Sequence, residues 1–83
     1  MKRKIEDYLT QLERWKGLLK EEGIELETAA LINIDITVQE THANSVDVDI
    51  EINYEVLEDV RRKELSATVV FKPNGEILNF IEK

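Results

Sequence analysis

The chain has 83 residues, 42% of them apolar and 35% charged, with no cysteine and a formal charge of -7. That length supports one hydrophobic core, so a single domain over 1–83 is expected, with no room for a second domain or a deeply enclosed active site. Without cysteine there are no disulfides, thiol nucleophiles or Cys-based zinc sites, and a reducing, cytoplasmic setting is the expectation.

The first patterned stretch is helical. Ile5, Tyr8, Leu9, Leu12, Trp15, Leu18 and Leu19 recur at the spacing of one helix face, which predicts an amphipathic helix over 3–22 ended by Gly23. The bases Lys2, Arg3 and Lys4 sit at the wrong end for the helix dipole, and Gly17 lowers the intrinsic propensity by about 1 kcal/mol relative to Ala. Tertiary packing therefore has to hold this helix. Glu6 and Asp7 follow the basic start where a leader would turn apolar, and no run reaches the roughly 18–20 apolar residues of a membrane span, so neither segment is expected.

After Gly23 the period changes to two. Ile32, Ile34, Ile36 and Val38 alternate with polar residues, as do Val46, Val48, Ile50 and Ile52, which predicts two half-buried strands joined by a short connection over 40–45. Pairing Val38 with Val48 and Ile36 with Ile50 keeps the apolar residues on one face and sets Asp35 opposite Glu51. Thr28, Ala29 and Ala30 read as a bend before the first strand. Glu58 to Lys63 reads as a charged connection or a solvated strand edge, followed by a strand carrying Leu65, Ala67, Val69 and Phe71. Lys72-Pro73-Asn74-Gly75 suits a type I turn with a glycine bulge, so Glu76 to Ile81 should return as a hairpin.

A helix followed by strands near 30–40, 45–56, 64–72 and 76–82 predicts an α+β fold, the helix packed on a four-stranded antiparallel meander. That arrangement resembles cystatin-like and PepSY-type domains in topology; no sequence motif of either stands in the chain, and no function follows from the likeness.

Charge is segregated along the chain. Residues 1–23 are net +1, residues 24–59 hold ten acids and no Lys or Arg, and residues 60–83 are net +2. Such a field attracts cations and basic protein surfaces and repels nucleic acid and phospholipid headgroups, so neither direct nucleic-acid binding nor membrane binding is expected. Asp47, Asp49 and Glu51 fall on the outer face of one strand at intervals of about 6.6–6.8 Å, with Glu55 continuing the row and Asp35 across from it. Three readings fit: a solvated face that discourages edge-to-edge pairing, a recognition surface for a basic protein, or a weak divalent-cation contact. In its sharpest form the second reading is nucleic-acid mimicry. In size and acidity the chain is similar to small phage-encoded inhibitors of bacterial defence such as anti-CRISPR proteins, which implies an inhibitor of a nucleic-acid-binding protein.

A second candidate surface lies in the last strand. Ile77, Leu78, Phe80 and Ile81 are apolar on both faces, so the pair Ile77 and Ile81, or Leu78 and Phe80, should point away from the helix, with Val70 beside it in one register. Partner binding or homodimerisation through Val70, Ile77 and Ile81 is the expectation. Catalytic chemistry is thin: His42, the single histidine, falls in a polar loop as an exposed residue, and there is no nucleophile elbow, P-loop, G-x-G-x-x-G or H-E-x-x-H. The expected function is binding without catalysis, cofactor or metal, with a basic protein as partner.

Overall fold

The computed structural model describes residues 1–19 and 26–83. It shows an α+β fold with one N-terminal helical segment and a four-stranded antiparallel meander in the order β1-β2-β3-β4. The strands are β1 (Ala30–Thr41), β2 (Ser45–Val56), β3 (Asp59–Phe71) and β4 (Ile77–Glu82).

The helical segment departs from a straight 3–22 cylinder. α1 (Lys2–Thr10) ends in a 3-10 turn over Gln11–Glu13, and α2 (Arg14–Gly17) follows. Leu12 and Glu13 both take left-handed backbone conformations, at φ 53° and 52°. Leu12, which fits the apolar period, is consequently swung out of the stripe and is 87% exposed. Local bonds hold the break: the Thr10 hydroxyl donates to the Asp7 carbonyl at 3.1 Å, and Arg14 donates to the Tyr8 carbonyl at 3.0 Å. The Asp7 carbonyl also accepts the Gln11 N–H at the end of α1, and the Arg14 contact reaches back across the break to Tyr8. The reorientation still buries Trp15 and Leu19, with the Trp15 ring 6.3 Å from Tyr54. Residues 20–22 of the predicted helix and the Gly23 stop lie outside the described residues.

β2 supplies the centre of the core, with Val46, Val48, Ile50, Ile52, Tyr54 and Val56 all buried on one face. Ile5 and Leu9 from α1, Ile34 and Ile36 from β1, and Ala67 and Val69 from β3 complete it. The β1–β2 register pairs Val38 with Val48, Ile36 with Ile50 and Asp35 with Glu51, as the alternation predicts. Two bulges interrupt β1. The first makes Ile32 an extra residue, so Leu31 turns inward in its place and Ile32 is 54% exposed. The expected bend before β1 is a 3-10 turn over Leu26–Thr28.

β3 begins at Asp59, five residues ahead of the predicted start. The Glu58 to Lys63 stretch is thus largely a strand edge and not a connection. A two-residue turn joins β2 to β3, with Leu57 and Glu58 both left-handed at φ 49° and 71°. The 72–75 turn matches its prediction: the Gly75 N–H donates to the Lys72 carbonyl at 2.8 Å, and Gly75 sits at φ +88°. Lys4 Nζ donates to the Gly75 carbonyl at 3.0 Å and ties α1 to this turn.

Candidate functional site: an acidic sheet face

Because the helical segment packs on the inner face, the outer face of the sheet carries the alternate residues of β1, β2 and β3. The register arranges them in rungs. Asp47 is flanked by Glu40 and Thr68, Asp49 by Thr37 and Ser66, Glu51 by Asp35 and Glu64, Asn53 by Asn33 and Arg62, and Glu55 by Ala30 and Val60.

Hydrogen-bond donors stabilise the carboxylates of the first two rungs. Thr68 Oγ1 donates to Asp47 Oδ1 and Ser66 Oγ to Asp49 Oδ1, each at 2.7 Å, and Gln39 Nε2 donates to Asp49 Oδ2 at 2.7 Å. Asp47 also meets His42 Nε2 at 3.1 Å and Lys83 Nζ at 3.4 Å. The Thr68 hydroxyl, then His42, and after the opposing effect of burial also Lys83, hold the Asp47 carboxyl down at about 2. At the fourth rung Asn53 Nδ2 bridges sideways to Asn33 Oδ1 at 2.8 Å and back to Glu51 Oε2 at 3.0 Å.

The third rung is different in kind. Asp35, Glu51 and Glu64 stand abreast on three neighbouring strands. Strands about 4.8 Å apart put each carboxylate next to another of the same sign, an arrangement that destabilises a sheet. Relief among the described residues reaches only the middle member: Glu51 accepts from Asn53 and lies 3.8 Å from Arg62. Among the described residues, the side chains of Asp35 and Glu64 make no hydrogen bond or ion pair, and both residues are exposed. The rung borders an open depression of about 740 Å³, lined also by Asp49, Thr37 and Ser66.

Of the residues singled out in the sequence, Asp35, Asp49 and Glu51 thus meet in one depression. Asp47 belongs to the hydrogen-bonded end of the row, and Glu55 stands apart beyond Asn53, between Ala30 and Val60. Glu64 completes the rung and escapes a reading along one strand, because its place opposite Glu51 depends on the β2–β3 register. Its signal was the even spacing from Ser66 and Thr68 on the outer side of the third strand.

The apolar surface needs correction. A register shift between Val70 and Phe71 makes Leu78 an extra residue, so neither predicted pair points outward together. Ile77 and Phe80 pack against the core, with Phe80 stacked on Tyr8 at 6.0 Å, whereas Leu78 and Ile81 are 61% and 47% exposed. Ile77 therefore leaves the candidate surface. Val70 is half-buried on the outer face beside Asn79, and Ile81 lies opposite Thr68. Comparison with known protein families, curated proteins and solved structures finds no match in any of the three.

Proposed function

We propose that this chain is a non-enzymatic binding module whose outer sheet face docks a basic segment of a protein partner. The observation that carries the reading is the rung Asp35–Glu51–Glu64, in which two carboxylates lack any counter-charge from the described residues and border one depression. A guanidinium or ammonium lying across that rung relieves a repulsion that the free fold leaves standing. Arginine suits the place better than lysine, since its planar fork engages two carboxylates at once.

Nucleic-acid mimicry is the sharper form of the same reading. It draws support from the even spacing of Asp47, Asp49 and Glu51 along β2, a regular line of negative charge suited to a groove that otherwise holds a phosphate backbone. Homodimerisation through the corner at Leu78, Ile81 and Val70 is the alternative supported by the exposed apolar side chains there.

Fluorescence anisotropy with a labelled Arg-rich peptide separates these readings. Docking on the acidic face predicts affinity that falls steeply between about 50 and 500 mM salt and drops by about tenfold in the double variant Asp35→Asn, Glu64→Gln. If mimicry holds, a nucleic-acid-binding protein captured by the chain is released by a competing oligonucleotide. Binding that resists salt and disappears in Ile81→Asp would instead assign the contact to the apolar corner.

A further inference from the structure

Where β1 gives way to β2, three metal-ligating side chains of mixed chemistry converge. His42 Nε2 lies 3.1 Å from Glu40 Oε2 and 3.1 Å from Asp47 Oδ2, and one ligand atom from each of the three residues falls within 4.8 Å of the others. We propose that Glu40, His42 and Asp47 bind a divalent first-row transition cation, with zinc as the reference ion, through one imidazole nitrogen and two carboxylate oxygens, water completing the shell.

Geometry supplies the first argument. A tetrahedral zinc about 2.1 Å from each donor sets its ligands about 3.4 Å apart; both His42 separations of 3.1 Å lie close to that, and the third lies within 4.8 Å. Electrostatics supplies the second: both carboxylates converge on the one Nε2 of His42, whose single proton serves both, and a cation that takes the place of that proton meets both oxygens and the ring nitrogen.

The ligands are also held in place. The His42 N–H donates to the Ser45 carbonyl and the Phe71 N–H to the Asn44 carbonyl, both at 2.8 Å, which fixes the connection carrying His42. Thr68 Oγ1 and Lys83 Nζ engage Asp47 through Oδ1, leaving Oδ2 turned to His42. Such outer contacts orient a ligating carboxylate.

The donor set selects the class of ion. Imidazole favours zinc, nickel, cobalt and copper, whereas calcium demands six to eight oxygens and magnesium a near-ideal octahedron of oxygen ligands. Both Glu40 and His42 are exposed, so the ion exchanges freely with solvent and the affinity is that of an open site. Lys83, 3.4 Å from the far oxygen of Asp47, opposes the bound charge.

Calorimetric titration of the full chain with zinc chloride at neutral pH, paired with imidazole NMR signals, tests the site independently of the basic-partner reading. The expected result is one saturable site per chain with shifts at His42, lost in His42→Ala and in Asp47→Asn. Thr68→Val should weaken binding about tenfold by freeing the ligand's orientation. Because residue 42 sits in an exposed loop, His42→Ala keeps the circular dichroism of the parent. No saturable binding up to on the order of 1 mM zinc, undiminished binding in His42→Ala, or equal displacement by magnesium overturns the proposal.

Discussion

Asp47 and Glu64 show how the same residue class acquires opposite roles on one sheet face. Asp47 accepts from Thr68 at 2.7 Å and faces His42 and Lys83, which brings its carboxyl from an ordinary 3.8 down to about 2. A folded-state value below the unfolded one means that the stabilisation is complete above about pH 4 and is lost as pH falls through about 2. Carboxyl-carbon NMR should place the Asp47 midpoint near 2, and Thr68→Val should move it back toward the ordinary value. Glu64 has no such partner among the described residues and stands beside Glu51 on β2. Glu64→Gln should therefore stabilise the fold by about 0.2–1 kcal/mol in urea unfolding, with the gain shrinking at high salt. That a residue is acidic was legible in the sequence; which acids are partnered was not, because Thr68, Lys83 and Arg62 reach them from β3 or the chain end.

At the scale of elements, the β1–β2 pairing was readable because strict alternation leaves one register that turns every Val and Ile from 34 to 38 and 46 to 52 to the inner face. The helix break was not, since Leu12 fits the apolar period and only the carbonyl contacts of Thr10 and Arg14 mark the change of direction. The turn at Leu57–Glu58 was equally hidden: both residues have positive φ, yet neither is the Gly, Asn or Asp that ordinarily announces such a hairpin. Replacing the pair by Asn-Gly should raise stability by about 1–2 kcal/mol through relief of left-handed strain. Gly17→Ala gives a second check, because an added Cβ meets nothing within 4 Å. It should contribute about 0.5–1 kcal/mol, read as a higher melting temperature. Bulges at Ile32 and Leu78 account for the remaining departures, each moving one apolar residue out of a pattern that assumed uninterrupted pairing.

Over the whole molecule, the charge excess of residues 24–59 becomes a spatial asymmetry once β1 and β2 pair. The inner face carries the core and the helical segment, and the outer face carries the carboxylates. Segregation in the sequence made an acidic surface legible, but its focus at Asp35, Glu51 and Glu64 required a third strand whose stretch of the chain is net positive. The fold thus keeps a rung of like charge whose two outer members meet no counter-charge among the described residues, where a neutral rung would be more stable; the proposed docking of a basic partner would offset that cost. The most direct test is backbone NMR of the labelled chain titrated with an Arg-rich peptide at about 50 and 500 mM salt. Docking on the acidic face predicts shifts centred on Asp35, Asp49, Glu51 and Glu64 that vanish at the higher salt. Shifts confined to Leu78 and Ile81 at both salt concentrations, or no shifts at either, would contradict it.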